Sequence, residues 1–312
     1  MGQHVPVLLV ESLEALKIKP DGVYVDATLG RAGHSAEILR RIPKGHLYCF
    51  DQDEEAIEES APKLSAIGNN FTIIKANFAQ MREKLAALGV SEVDGILADL
   101  GVSSPQLDEA DRGFSYNADA PLDMRMDRQA SLTAFTVVNT YPLPDLTRVL
   151  RLYGEDPEAY AIAKSIVRHR ERAPIETTLE LVEAIKAGKS PKALRAKGHP
   201  AKQTFQAIRI EVNQEEEALS RLLEDAPKLL RPGGRLAIIT FMSLDDRLVK
   251  DAFRRLSVIE GDRHGPLLRP EEIPIPDYTL PQRKPILPSE KERQENRRAS
   301  SAKLRVLARR PA

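Results

Sequence analysis

At 312 residues, with zero formal net charge, 29% charged and 42% hydrophobic residues, the chain can bury one large core or two of moderate size. That balance excludes a globally basic nucleic-acid binder, so any such contact must come from a local patch. A single cysteine, Cys49, excludes an intramolecular disulfide framework, and no apolar run approaches the ~20 residues that span a bilayer.

Residues 1 to 10 lack the charged start and apolar core of a signal peptide, and a cytoplasmic protein is expected. Cys49, between Tyr48 and Phe50, reads as a buried packing residue rather than a nucleophile.

A first helix is expected over 6–17, followed by a strand over 23–29 that breaks into Gly30 and Gly33 before a second helix. Strand, glycine turn and helix start together let a ligand approach bare backbone, although an ordinary tight βα turn has the same pattern. Further strands are expected at 47–50, 71–74 and 93–100, with helices at 54–66 and 79–88 between them. Asp53 is placed to cap the helix at 54. Four strands alternating with three helices point to an α/β fold with a parallel sheet.

From 101 to 209 the pattern turns helical, with helices expected at 145–152, 157–170 and 178–186. One long helix over 202–223 leads back to α/β pattern. Leu229 to Arg235 closes a helix and turns into a strand over 236–241, and a helix over 244–256 follows. The Pro-rich stretch 261–290 reads as a covering segment, and 304–307 as a last strand.

Ligands of an open parallel sheet bind at the carboxyl ends of its strands. The residues there are Gly30 to His34, Asp51, Asn77-Phe78 and Asp99. Asp51 follows Gly30 at the distance from which an acidic residue reaches ribose hydroxyls. Phe78 could flank an adenine ring or serve equally well as a core aromatic. His34 lacks neighbours at metal-ligand spacing, so no metal is expected. The Gly-x-x-Gly turn after Asp26-x-Thr lacks the third glycine of a dinucleotide site and favours a smaller adenosyl ligand carrying an amino-acid moiety.

Several blocks are more specific. They are Asp26-Ala-Thr-Leu-Gly-Arg-Ala-Gly-His-Ser, Asp99-Leu-Gly-Val-Ser-Ser-Pro-Gln, Arg112-Gly-Phe-Ser, Pro121-Leu-Asp-Met-Arg-Met-Asp, His199-Pro-Ala-Lys-Gln-Thr-Phe-Gln, Pro232-Gly-Gly-Arg-Leu and Phe241-Met-Ser-Leu-Asp-Asp-Arg. In this order, from His4 to about Leu307, the chain closely resembles the bacterial MraW/RsmH family. Its members use S-adenosylmethionine to methylate the exocyclic N4 of a cytidine in the decoding centre of 16S ribosomal RNA.

The resemblance implies a class I (Rossmann-like) methyltransferase domain over 1–105 and 210–312, with an inserted all-helical substrate-recognition domain over 106–209. It further implies that Ala32, Gly33 and His34 contact the methionine end of the cofactor, Asp51 the ribose and Phe78 the adenine side. Asp99 and Gln106 complete the pocket. Two positions depart from the family pattern. Ala32 stands where a glycine is usual, tolerable if its φ is negative, and Met242 replaces a histidine whose polar role cannot transfer.

The amino nitrogen of cytosine is a poor nucleophile, so catalysis needs in-line placement and an acceptor for an amino hydrogen. Asp99 is the best-placed acceptor. Ser103-Ser104-Pro105 resembles only loosely the Ser/Asp-Pro-Pro-aromatic loop of amino-methyltransferases.

Between Lys186 and Arg209 lie seven Lys/Arg and no acid, and 283–310 holds ten Lys/Arg against three Glu. Either stretch could bind 16S rRNA phosphates or be a solvated helix face; position after the fourth strand favours RNA. The target base must be unstacked or single-stranded to be reached. A nicotinamide dehydrogenase and a cofactor-binding ribosome-assembly factor without turnover are the competing readings. The oligomeric state, monomer or homodimer, stays open.

Overall fold

The structure, a computed structural model, describes residues 6–102, 106, 109–258 and 275–311. The chain divides into two compact units, Met1–Gly101 with Glu217–Ala312, and Val102–Glu216.

The first unit opens with helix α1 (Leu9–Leu16), β1 (Val23–Asp26), α2 (Gly33–Arg41), β2 (His46–Asp51), α3 (Glu54–Ser65) and β3 (Phe71–Lys75). A short 3-10 turn, Phe78–Gln80, then leads into α4 (Met81–Ala87) and β4 (Val93–Asp99). After the second unit come β5 (Leu230–Thr240), the helix Ser243–Ser257, β6 (Tyr278–Thr279) and β7 (Lys303–Arg309). These form one seven-stranded sheet in the order β3-β2-β1-β4-β5-β7-β6. All pairs from β3 to β5 are parallel, and β7 runs antiparallel to both neighbours. The expected α/β fold with its predominantly parallel sheet is therefore present.

Strand alternation distributes the core to both faces of the sheet. Ile96 and Ala98 join Val25, Phe50 and Ile238 on one face, under Leu222 and Phe253. Leu97 joins Tyr24, Leu47 and Ile239 on the other, under Ile38 and Leu64. Cys49 is fully buried in this second layer, and burial pushes its thiol pKa up, consistent with packing rather than nucleophilic duty.

Two expected elements differ. The segment Arg231 to Gly234 bulges within β5 instead of forming a turn before it, because Val93 pairs with Leu230 while Gly95 pairs with Arg235. Gly233 permits this at φ 81. The single helix expected over 202–223 is two, Lys202–Asn213 and Glu215–Leu229. Gln214 breaks it in the left-handed region, with φ 50 and ψ 39. Asn213 stabilises the break, its amide donating to the Met124 carbonyl and its oxygen accepting from the Met126 N–H, both at 2.8 Å.

Among the described residues of the second unit the regular secondary structure is helical, with long turns between the helices and an isolated bridge between Pro121 and Thr177. Their core joins Val137, Val149, Ile162, Ile166, Leu181 and Ile208.

Candidate functional site

β1 ends at Asp26, but the chain stays pinned between neighbours for three more residues. Ala27 N–H donates to the Leu97 carbonyl and Leu29 N–H to the Phe50 carbonyl, each at 2.8 Å. The chain then turns at Gly30, with φ 49. Gly30 N–H donates to Asp51 Oδ2 at 2.8 Å, and the Ser60 hydroxyl donates to the Gly30 carbonyl at 2.7 Å. The turn is therefore held from both sides before any ligand arrives.

Ala32 caps α2 with φ 61 and ψ 23. The condition under which an alanine is tolerated without cost, a negative φ, is thus not met. A non-glycine residue in this region costs about 1–2 kcal/mol, and the buried surroundings must hold it there. Gly33 is required for a different reason, since a Cβ there would lie 2.2 Å from Pro6 Cγ.

Asp53 caps α3 by accepting from the Glu55 N–H at 3.2 Å, which frees Asp51 from that task. Asp51 accepts from Gly30 and, at 2.9 Å, from the Asp53 N–H. Burial pushes its carboxyl up to about 6 against those two bonds, with Asp53 and Asp26 adding to the rise. Each oxygen keeps a further lone pair that can accept a hydroxyl.

Phe78 is half-buried at the head of its 3-10 turn and packs on the core layer of Val25 and Ile96. Asn77 braces the preceding loop by accepting from Ala79 N–H and donating to Gln52 Oε1, both at 2.9 Å.

Asp99, the last residue of β4, places Oδ2 3.7 Å from His34 Nδ1. Its Oδ1 is buried and has no hydrogen-bond partner among the described residues. Burial pushes this carboxyl up to about 6, with His34 opposing the rise and Asp26 adding to it. The His34 ring is itself buried, with Nε2 3.1 Å from the Val7 carbonyl oxygen.

Asp26 is the residue that sequence reasoning missed. It is 1% exposed and accepts from the Ser35 hydroxyl at 2.6 Å and the Thr28 N–H at 3.0 Å. The Thr28 hydroxyl oxygen in turn accepts from the Asp99 N–H at 2.7 Å, tying the ends of β1 and β4 together. Acidic residues closing two adjacent strands were the available signal.

Gly30 to His34, Asp26, Asp51, Phe78 and Asp99 thus lie at the carboxyl ends of β1 to β4, where the strand order reverses. Gln106 is buried and belongs to the Val102–Glu216 unit. Ser103, Ser104 and Pro105 lie outside the described residues. Met242 precedes the helix at 243 without a side-chain capping bond. No group of three or more His, Cys, Asp or Glu among the described residues is arranged to hold a metal ion.

In the helical unit, three cations of the basic stretch are engaged internally. Lys186 pairs with Glu183, Lys189 with buried Asp156, and Arg209 with Glu215. Lys192, Arg195, Lys197 and Lys202 are exposed. Nearby, Tyr116 stacks on His199 with ring centroids 4.3 Å apart. In the second basic stretch Lys291, Arg293, Lys303, Arg305 and Arg309 pair with carboxylates. At least five of its ten cations are thus engaged, of which Lys303 and Arg305 share Asp246.

The model of the MraW methylase family matches residues 1–310. Ribosomal RNA small subunit methyltransferase H of Streptococcus dysgalactiae subsp. equisimilis is 55% identical over 306 residues, covering 97% of this chain and 96% of its own. Among solved structures, an rRNA methylase from Streptococcus thermophilus aligns over 100% of both chains at 13% identity with a TM-score of 0.39.

Proposed function

The chain belongs to the MraW methylase family, and we propose that it transfers a methyl group from S-adenosylmethionine to small-subunit ribosomal RNA. The finer target we propose is the exocyclic N4 of cytidine 1402 in the 16S decoding centre. The observation that carries this reading is the buried, unpartnered Asp99 Oδ1 at the sheet's switch point, an acceptor in want of a nitrogen donor.

The residues present fit the cofactor. Gly30 leaves room for close approach, since a Cβ there would meet only the Thr28 carbonyl oxygen at 3.9 Å, Asp51 retains lone pairs for ribose hydroxyls, and Phe78 offers a half-buried ring to the adenine. Bound there, S-adenosylmethionine supplies a methyl group activated by its positive sulfur. Ala32, Gly33 and His34 line the methionine end in this reading. Asp99 accepts a hydrogen from the target amine and so sharpens the nitrogen lone pair for attack.

The helical unit is proposed as the substrate-recognition domain. Lys192, Arg195, Lys197 and Lys202 supply phosphate contacts that neutral overall charge leaves to a local patch. No helix of the described residues is long and apolar enough to cross a membrane, in keeping with a cytoplasmic site of action on the small subunit.

Transfer of labelled methyl from S-adenosylmethionine to small subunits lacking the modification tests the reading. Cofactor binding without transfer would instead favour an assembly factor.

A further inference from the structure

His34 and Asp99 face each other in a way their lone pairs do not allow without a proton between them. The Val7 carbonyl has no proton to give, so His34 Nε2, 3.1 Å away, must be the donor of that contact. A neutral His34 ring therefore carries a bare lone pair on Nδ1. That atom lies 3.7 Å from Asp99 Oδ2, longer than a hydrogen bond but within reach of one after a small closure.

Counting protons leaves one arrangement. With none, a carboxylate that is 26% exposed faces a lone pair; with two, a buried imidazolium faces a neutral acid. Both leave a charge uncompensated at a site where that is costly. One proton satisfies both groups.

The surroundings hold His34 in place. The segment carrying Val7 is tethered, the Leu8 N–H donating to Glu292 Oε1 at 2.8 Å, and Val7 itself is buried. The charged groups facing Asp99 among the described residues are His34 from α2 and Asp26 from the end of β1. The Asp26 carboxylate is already engaged by Ser35 and Thr28.

We infer that His34 is a positioning residue for Asp99. Its ring shares a single proton with the Asp99 carboxyl, keeping Asp99 in the carboxylate form with Oδ1 free for the target amine. This rests on the acceptor role proposed above for Asp99. As the N–CH3 bond forms and the S–CH3 bond breaks, the bonding pair stays on sulfur and the surplus amine proton passes to Asp99 Oδ1. Without the His34 charge, burial and Asp26 would favour the neutral acid, which has lost the acceptor strength the step needs.

The test compares pH profiles of kcat for the parent and His34→Gln, whose amide can still donate to the Val7 carbonyl but brings no charge to Asp99. The ratio of kcat at about pH 8.5 to kcat at about pH 6 should rise about tenfold in the variant as the acid limb moves up. Cofactor affinity, measured in parallel by calorimetry, separates this from lost binding. An unchanged ratio, with the rate lowered equally at every pH, overturns the inference.

Asp99→Asn distinguishes the two levels of the argument. If it transfers methyl at the parental rate, the acceptor reading itself falls. If it binds cofactor but is silent while the His34→Gln ratio stays put, only the shared-proton inference falls. Should His34→Gln fail to fold, the ¹⁵N-histidine spectrum of the unmutated, cofactor-free protein decides. Protons on both ring nitrogens of His34 support the inference; a bare Nε2 or a bare Nδ1 overturns it.

Discussion

The Gly30 N–H donates to Asp51 Oδ2 at 2.8 Å, joining the turn after β1 to the end of β2 across 21 positions of sequence. One carboxylate therefore shapes the turn and still offers lone pairs to a ligand. In Asp51→Asn the amide keeps one acceptor and loses the charge. Cofactor affinity should fall about 10- to 100-fold, the range of a hydrogen bond to a charged group. Equal affinity in a calorimetric titration would remove Asp51 from the ribose site.

Asp51 and Asp99 are both pushed up from 3.8 to about 6. The folded chain thus holds these protons more tightly than the unfolded one. The stability they contribute is fully present below about 3.8 and is lost as pH rises towards about 6, on the order of 3 kcal/mol for each. Carboxylates lowered by ion pairs, such as Asp246 beside Arg305 and Lys303, act in the opposite direction. The comparison must therefore be between variant and parent. Relative to the parent, Asp99→Asn should gain stability between about pH 4 and pH 7 in urea denaturation. A constant difference across that range contradicts the assignment.

Much of the α/β unit was readable in advance because buried parallel strands are continuous apolar runs and their carboxyl ends carry the chemistry. The Asp53 cap and the placement of Asp51 beside Gly30 follow from spacing alone. The left-handed Ala32 did not, since nothing in an alanine announces a positive φ; it is set by Leu29, which accepts the Ala32 N–H at 2.8 Å, and by burial. The break at Gln214 was likewise hidden, because helical periodicity continues on either side and the cause lies in Asn213 reaching Met124 and Met126. Nor could spacing reveal that Lys303 and Arg305 are held by Asp246 and Arg309 by Glu92.

Ala32 provides a direct check on the turn. Ala32→Val puts a β-branched residue at φ 61 in a site 1% exposed, and should cost about 2 kcal/mol or more. Ala32→Gly relieves the left-handed cost but loses a buried methyl and adds freedom to the unfolded chain, so it should change stability by less than about 1 kcal/mol. Thermal unfolding of both variants gives the answer. A valine variant as stable as the parent would place Ala32 at negative φ after all.

The exposed cations of the helical unit make a salt-dependent prediction. Replacing Lys192, Arg195, Lys197 and Lys202 together by Gln should weaken RNA binding. The slope of log affinity against log salt should fall by about 3, near one phosphate per side chain. Cofactor affinity should stay at the parental level. An unchanged slope would return the stretch to an ordinary solvated face.

The most direct measurement is nucleoside analysis of small-subunit RNA after reaction with methyl-labelled S-adenosylmethionine. The account predicts label at one cytidine of the 16S decoding centre, on the exocyclic nitrogen, and its loss in Asp99→Asn at saturating cofactor. Label on a ring carbon or a ribose oxygen, or no label in RNA at all, would contradict it.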